Sequence, residues 1–290
     1  MSEFDNGVSA ITGNPGLGRL CRGIEKESLR ITPNGTLSPL PHPERLGSAL
    51  RHPFITTDFS EAQLELITGI SQSADDCIDE LTNIHRVIYK EIGEELLWGA
   101  SMPCILDNDT NIPIGYYGSS NIGRAKTVYR NGLGNRYGKL MQTISGIHYN
   151  FSLPETLWPA IAAAKGQHLD QSFQDQSYFH LIRNFRRYSW LLIYLFGASP
   201  AVCTSFIRNR EHNLRAIDEH SLYLPEATSL RMGPLGYQSG AQSDLHVSYN
   251  SLEHYLQTMI DALIRPFPAY ETIGVEVDGH YRQLNTSLLQ

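Results

Sequence analysis

Two glutamates stand two residues apart in GIEKESLRI, residues 23–31. The stretch reads as a strand between Gly23 and the turn residues TPNG. Alternation puts Glu25, Glu27, Leu29 and Ile31 on one face, with the two carboxylates roughly 7 Å apart. Like charges at that spacing repel. On a face open to water the cost is small; in a cleft they need a positive partner. Three more acids, Asp58, Glu61 and Glu65, follow in TTDFSEAQLELIT. Alternation sends Gln63, Glu65 and Ile67 one way and Leu64 and Leu66 the other, so Glu65 turns to a polar face. Glu61 reads as a surface residue. In GIHYNFS, His148 shares a face with Gly146, Asn150 and Ser152, while Ile147, Tyr149 and Phe151 form the opposite face, expected to meet a core. Carboxylates with one imidazole on a polar sheet face suit Mg2+ or Mn2+, hard ions that take oxygen ligands and bridge phosphate. Each acid taken alone reads as surface, and His148 alone as a satisfied core residue.

A second set of residues could grip a small substrate. Residues 126–150, KTVYRNGLGNRYGKLMQTISGIHYN, are dense in Tyr, Arg, Gln and Gly. Arg can hold a carboxylate bidentately while tyrosines wall the ligand; the plain alternative is an exposed loop with aromatic anchors. YLPEATSLRMGPLGYQS offers Arg231 and Tyr237 as a second wall. Two glycine-rich stretches fail as phosphate loops. GNPGLGRL lacks a GK[ST] ending, and GLGNRYG has the wrong spacing for a dinucleotide fingerprint, so both read as loops or turns.

Helices must position these groups. DDCIDELTNIHRVIYKEIGEELLW, residues 75–98, carries Ile78, Leu81, Ile84, Ile88 and Ile92 at helical spacing, with aspartates crowding its start. Further helices run through QSYFHLIRNFRRYSWLLIYLFG and SLEHYLQTMIDALI, stopped at Gly197 and Pro266. Strands with polar inner faces, interspersed with helices but lacking regular βα alternation, predict an α+β protein with a mainly antiparallel sheet. VEVDGHYRQLNTSLLQ reads as a hairpin turning at Asp278 and Gly279, its second strand running out at Gln290 with Leu288 and Leu289 unpaired; the chain reads as cut short there.

Composition narrows the partners. The net charge of −7 opposes binding to nucleic acid or an anionic membrane, and WLLIYLF is far shorter than the ~20 residues of a bilayer span. The four scattered cysteines make no zinc spacing and read as free thiols. No signal peptide precedes them, so a cytoplasmic protein acting on small molecules is expected.

GIEKESLRIT, ITTDFSEAQLELIT, SMPC, YRNGLGNRYGKLMQTISGIHYNFSLP, YLFGASPAVCTSF, ATSLRMGPLGYQ and QLNTSLLQ, in this order, closely resemble the proteobacterial type of glutamate-cysteine ligase, from about residue 20 to the end. The resemblance implies a glutamine synthetase-like fold, a curved, mainly antiparallel sheet with helices on its outer face. Residues 1–290 would form the N-terminal portion of a single catalytic domain, truncated at the C-terminus. It implies ATP-dependent joining of the glutamate γ-carboxylate to the cysteine amine through γ-glutamyl phosphate, the first step of glutathione synthesis, with ATP and Mg2+ (or Mn2+) required. By motif match, Glu25, Glu27, Asp58, Glu65 and His148 resemble the metal ligands. Phe59, Tyr129, Arg130, Gln142 and Tyr237 resemble the cysteine pocket, and Arg231 the catalytic group that steadies glutamate or its phosphorylated form. The alternatives are another ATP-dependent carboxylate-amine ligase of the same fold, or a non-catalytic binding module.

Overall fold

The computed structural model describes residue 9 and residues 11–208, 210–236 and 245–290. Its architecture is α+β, and the paired strands are antiparallel. Strand β1 (Cys21–Ile31) is the spine of the main sheet. On one side it pairs with β3 (Gln63–Ile67), which pairs in turn with β2 (Ile55–Thr57). On the other side it meets β4 (Leu96–Leu97) at Arg30 and Ile31, and β5 (Ile147–Ser152) along Cys21 to Lys26. Between those two partners Glu27 N donates to Gly146 O at 2.9 Å and Leu29 O accepts from Trp98 N at 2.8 Å.

Alternation along β1 gives one face two characters. Glu25 and Glu27 occupy its first half; Leu29 and Ile31 continue it into a core with Met102, Leu106, Ile144, Val202, Phe206 and Leu230. The polar face therefore rests on packed apolar side chains at one end, which fixes the strand without burying both acids completely. On the other face, Leu64 and Leu66 of β3 pack under helix α1 (Ala74–Glu91) through Ile84 and Ile88. The Ser73 hydroxyl caps α1 by accepting from Asp76 N at 3.2 Å, and Asp75 and Asp76 complement the helix dipole. The helix ends seven residues before the predicted Trp98, and Leu96 and Leu97 form β4 instead.

Helix α2 (Asn121–Tyr137) corrects the reading of GLGNRYG as a loop. Ser120 caps it, accepting from Gly123 N at 3.2 Å, and Gly138 ends it at φ 81°. Its glycines serve close approach. A Cβ at Gly123 would collide with the Tyr117 carbonyl, and one at Gly132 with the Gln290 carboxamide. Packing thus overrides the low helix propensity of glycine.

The later helices are α3 (Trp158–Ala164), α4 (Gln171–Phe196), α5 (Leu252–Ile264) and α6 (Pro268–Ile273). A small sheet in the order β6 (Ala201–Cys203), β8 (Ser221–Tyr223), β7 (Arg215–Ala216) lies against the main core. The hairpin is present as β9 (Glu276–Val277) and β10 (His280–Tyr281), with Asp278 and Gly279 at φ 51° and 76°, the left-handed values of a tight hairpin turn. The expected long second strand is replaced by an irregular segment pinned to α2. Arg136 donates to Gln283 Oε1, Asn285 O and Ser287 O at 2.8, 2.6 and 3.1 Å. Leu288 is buried, contrary to its expected exposure, and Leu289 N donates to Ala262 O.

Two further expectations fail for physical reasons. Glu61 is buried, not a surface residue: its carboxylate accepts from His42 N and Tyr116 N at 2.7 and 2.5 Å and so ties two loops together. The face of Ile147, Tyr149 and Phe151 meets no core among the described residues; these side chains are 67, 59 and 43% exposed, because no described element packs on that face of β5. All four cysteines are free. Among the described residues no helix is long and apolar enough to cross a membrane.

Candidate active site

Register brings the predicted acids together. Glu27 on β1 lies directly opposite Glu65 on β3, and Glu25 opposite His148 on β5, so four of the predicted ligands share one sheet face. Asp58 joins them from the turn between β2 and β3, where its N–H donates to Gln63 O at 3.0 Å. Directly paired cross-strand side chains stand close enough for like charges to destabilise the sheet.

The charge balance of this face is unfavourable as it stands. Burial, then the charge of Asp58, push the Glu27 carboxyl from 4.5 up to about 7, against the lowering effects of the Gly146 N–H, His148 and Arg231. Burial raises Asp58 despite Arg130 and His148, and burial with Asp58 and Glu25 raises Glu65. Three carboxyls held above their ordinary range on one face lack a sufficient positive partner. A divalent cation would supply it, and the donor set of four carboxylates and an imidazole suits Mg2+ or Mn2+. Among the described residues, no group of three or more His, Cys, Asp or Glu side chains is already drawn together as a metal cage. The fit is therefore one of chemistry and shared face.

Neighbours on and beside β5 orient these acids. Gly146 N donates to Glu27 Oε2 at 2.8 Å, Asn150 Nδ2 to Glu25 Oε1 at 2.9 Å, and His148 Nδ1 stands 3.2 Å from Glu25 Oε2. The fully buried Gln63 reaches from β3 to Ile144 O and Ser145 Oγ, both at 3.3 Å, tying the Asp58 turn to the segment that presents Gly146. Asn150 could have been found from its alternation with His148. The role of Gln63 could not, because its partners lie more than 80 residues away.

Arg231 approaches from a short 3₁₀ turn, Leu230–Met232, anchored by buried Leu230, whose N–H donates to Ser199 O at 2.7 Å. Its guanidinium lies against Gly146, where an added Cβ would come within 2.7 Å of Nη2. Any side chain at residue 146 would displace it. Among the described residues, Arg231 Nη1 is buried and has no hydrogen-bond partner. It borders a cleft of about 300 Å³, lined by Glu27, Ser101, Ser145 and Gly146 among others. An unpartnered cationic donor beside an acidic face is an arrangement that an anionic group bridged by a cation would satisfy.

Of the residues predicted for the cysteine pocket, Tyr129 and Arg130 lie on α2, and Phe59 and Gln142 lie beside it. Phe59 is buried, with a ring atom 3.5 Å from where a Cβ on Gly134 of α2 would stand. Gln142 is buried as well, and the main-chain oxygen of Tyr129 accepts from Gln290 Nε2 at 2.9 Å. Arg130 binds main-chain carbonyls of Thr57, Asp58 and Lys126. Tyr237 lies outside the described residues.

The model of the glutamate-cysteine ligase family matches residues 8–290. The chain belongs to the glutamate-cysteine ligase family. It is 56% identical over 275 residues to the glutamate–cysteine ligase of Alcanivorax borkumensis, covering 93% of this chain and 52% of that protein. It is 53% identical to the ligase of Saccharophagus degradans, covering all of this chain and 55% of the other. Among solved structures it superposes on a glutamate–cysteine ligase from Francisella tularensis in complex with AMP with a TM-score of 0.87. Identity there is 41%, over 93% of this chain and 53% of that one. A bifunctional glutathione synthetase from Pasteurella multocida gives 0.72 at 32% identity, over 86% and 31%. The chain spans about half the length of the curated relatives it matches.

Proposed function

We propose that this glutamate-cysteine ligase chain carries the nucleotide-phosphate and glutamate side of an ATP-dependent ligation, performed in the cytoplasm, that joins the γ-carboxylate of L-glutamate to the amine of L-cysteine. The observation that carries the reading is the unpartnered Arg231 Nη1, buried beside a cleft shared with Glu27 and facing carboxyls that burial holds above their ordinary range. The AMP bound to the Francisella tularensis relative supports the nucleotide assignment.

A free carboxylate is a poor acyl donor because its oxygen leaves badly. In the proposed reaction a γ-carboxylate oxygen forms a bond to the terminal phosphorus of ATP while the bond to the ADP oxygen breaks. The cysteine ammonium releases a proton, its nitrogen bonds to the acyl carbon, and phosphate departs carrying a second proton from that nitrogen. Glu25, Glu27, Asp58, Glu65 and His148 would hold Mg2+ or Mn2+, which when bound neutralises phosphate charge. The Gly146 N–H fixes the orientation of Glu27, and His148 with Asn150 fixes Glu25. Arg231 offers a positive donor to the transferring phosphoryl group in a cleft where little water screens it.

A second reading, ligation to a different amine, draws on one observation: Arg130, assigned to cysteine by resemblance, is bonded to main-chain carbonyls. Mass analysis of products separates the two. With a chain of full family length, glutamate, ATP and Mg2+, γ-glutamylcysteine and ADP are expected only when cysteine is added. A product formed with another amino acid in the absence of cysteine would favour the second reading, and ATP consumption independent of glutamate would remove both.

A further inference from the structure

We infer that Tyr117 and Arg130 act as a pair of positioning residues that aim the Asp58 carboxylate at the cation site. The inference rests on the proposed reading of Asp58 as a cation ligand. Tyr117, only 4% exposed, places its hydroxyl 2.7 Å from Thr57 O and 3.0 Å from Asp58 O, which share its one proton, and accepts from Thr57 Oγ1 at 2.9 Å. Arg130 stacks on the Tyr117 ring, its Cζ 4.4 Å from the centroid. Its Nε donates to Asp58 O, its Nη2 to Thr57 O at 3.4 Å and its Nη1 to Lys126 O at 3.0 Å.

Each guanidinium nitrogen of Arg130 is thus engaged with main chain, and none of these bonds points at a substrate. The carbonyl of Asp58 is gripped by two donors while its N–H is held by Gln63 O. With both ends of the residue fixed, the side chain leaves its Cα in a defined direction. This matters because the five-residue link between β2 and β3 would otherwise let the acid swing. The stacking explains why both residues are needed. The Tyr117 ring holds the guanidinium plane against the turn, and the charge on Arg130 strengthens its bonds to the carbonyls. Residues that orient a metal ligand typically carry about 10- to 100-fold in affinity.

The test uses Mn2+ as the probe, with free Mn2+ read by electron paramagnetic resonance, on a chain of full family length. Asp58→Asn, Tyr117→Phe and Arg130→Lys are compared with the native chain, and cysteine KM is measured alongside. The expected result is that all three weaken Mn2+ binding, Tyr117→Phe and Arg130→Lys by about tenfold, while cysteine KM stays within about twofold for these two. If Asp58→Asn weakens Mn2+ binding but neither positioning variant does, the inference fails and the ligand reading stands. If Asp58→Asn binds Mn2+ as the native chain does, the ligand reading falls and takes the inference with it. Arg130→Lys raising cysteine KM about tenfold with Mn2+ binding unchanged would return Arg130 to the substrate. Should Tyr117→Phe fail to melt cooperatively, Thr57→Val takes its place. It removes only the hydroxyl that orients the phenol and is expected to weaken Mn2+ binding by about threefold; unchanged binding would overturn the inference.

Discussion

Replacing Arg231 with Met is expected to lower kcat by about a thousandfold, with substrate KM values changing far less. The side chain keeps its length and apolar stem but loses the charge and the Nη1 donor, which has no partner among the described residues. Stability is expected to change little, because Leu230, the residue that anchors the turn, is untouched. An interaction made chiefly as phosphoryl charge develops shows in kcat; one made equally to bound glutamate shows in KM. Steady-state kinetics and a thermal melt on the same preparation check the outcome. A variant with near-native kcat would remove Arg231 from the reaction.

Glu27→Gln is expected to reduce the loss of stability with rising pH in the absence of divalent cations. The Glu27 carboxyl is raised from 4.5 to about 7 in the folded chain. Its neutral form is therefore favoured by folding, and the stabilising contribution is complete below pH 4.5 and is lost as pH rises through about 7. Linkage puts the loss on the order of 3 kcal/mol, an upper figure because Asp58 responds to the same field. Glutamine keeps the shape and an oxygen for the Gly146 N–H, yet has no charge to bury. The native chain is thus expected to melt at lower temperature at pH 8 than at pH 5 relative to the variant, and Mg2+ is expected to restore the native chain more than the variant. A native melting temperature that holds level across this range, with the variant less stable at pH 8, would show that Glu27 is simply solvated.

The acidic face was legible because a strand has only two faces. Once Glu25 and Glu27 are placed by alternation, Leu29 and Ile31 show where that face turns into core, and Glu65 and His148 follow from their own strands. Register could not be read, yet it is register that sets Glu27 against Glu65 and Glu25 against His148. Glu61 misled because its partners, the N–H groups of His42 and Tyr116, belong to loops without a pattern. The glycines of α2 misled because their use is tertiary: Gly123 admits the Tyr117 carbonyl and Gly132 the Gln290 side chain, contacts that no local propensity contains. Arg130 meets the turn that carries Asp58, a contact across 72 residues that its tyrosine- and arginine-rich surroundings in the sequence do not show.

The most direct measurement follows the oxygen of the carboxylate. Glutamate labelled with heavy oxygen in its γ-carboxylate is supplied with ATP, Mg2+ and cysteine to a chain of full family length, and the phosphate released is analysed by mass spectrometry. Activation as an acyl phosphate on this acidic face predicts that each phosphate carries one labelled oxygen from glutamate, and that Arg231→Met and Glu27→Gln slow labelled phosphate and dipeptide alike. Phosphate free of label, released while γ-glutamylcysteine accumulates, would contradict the account.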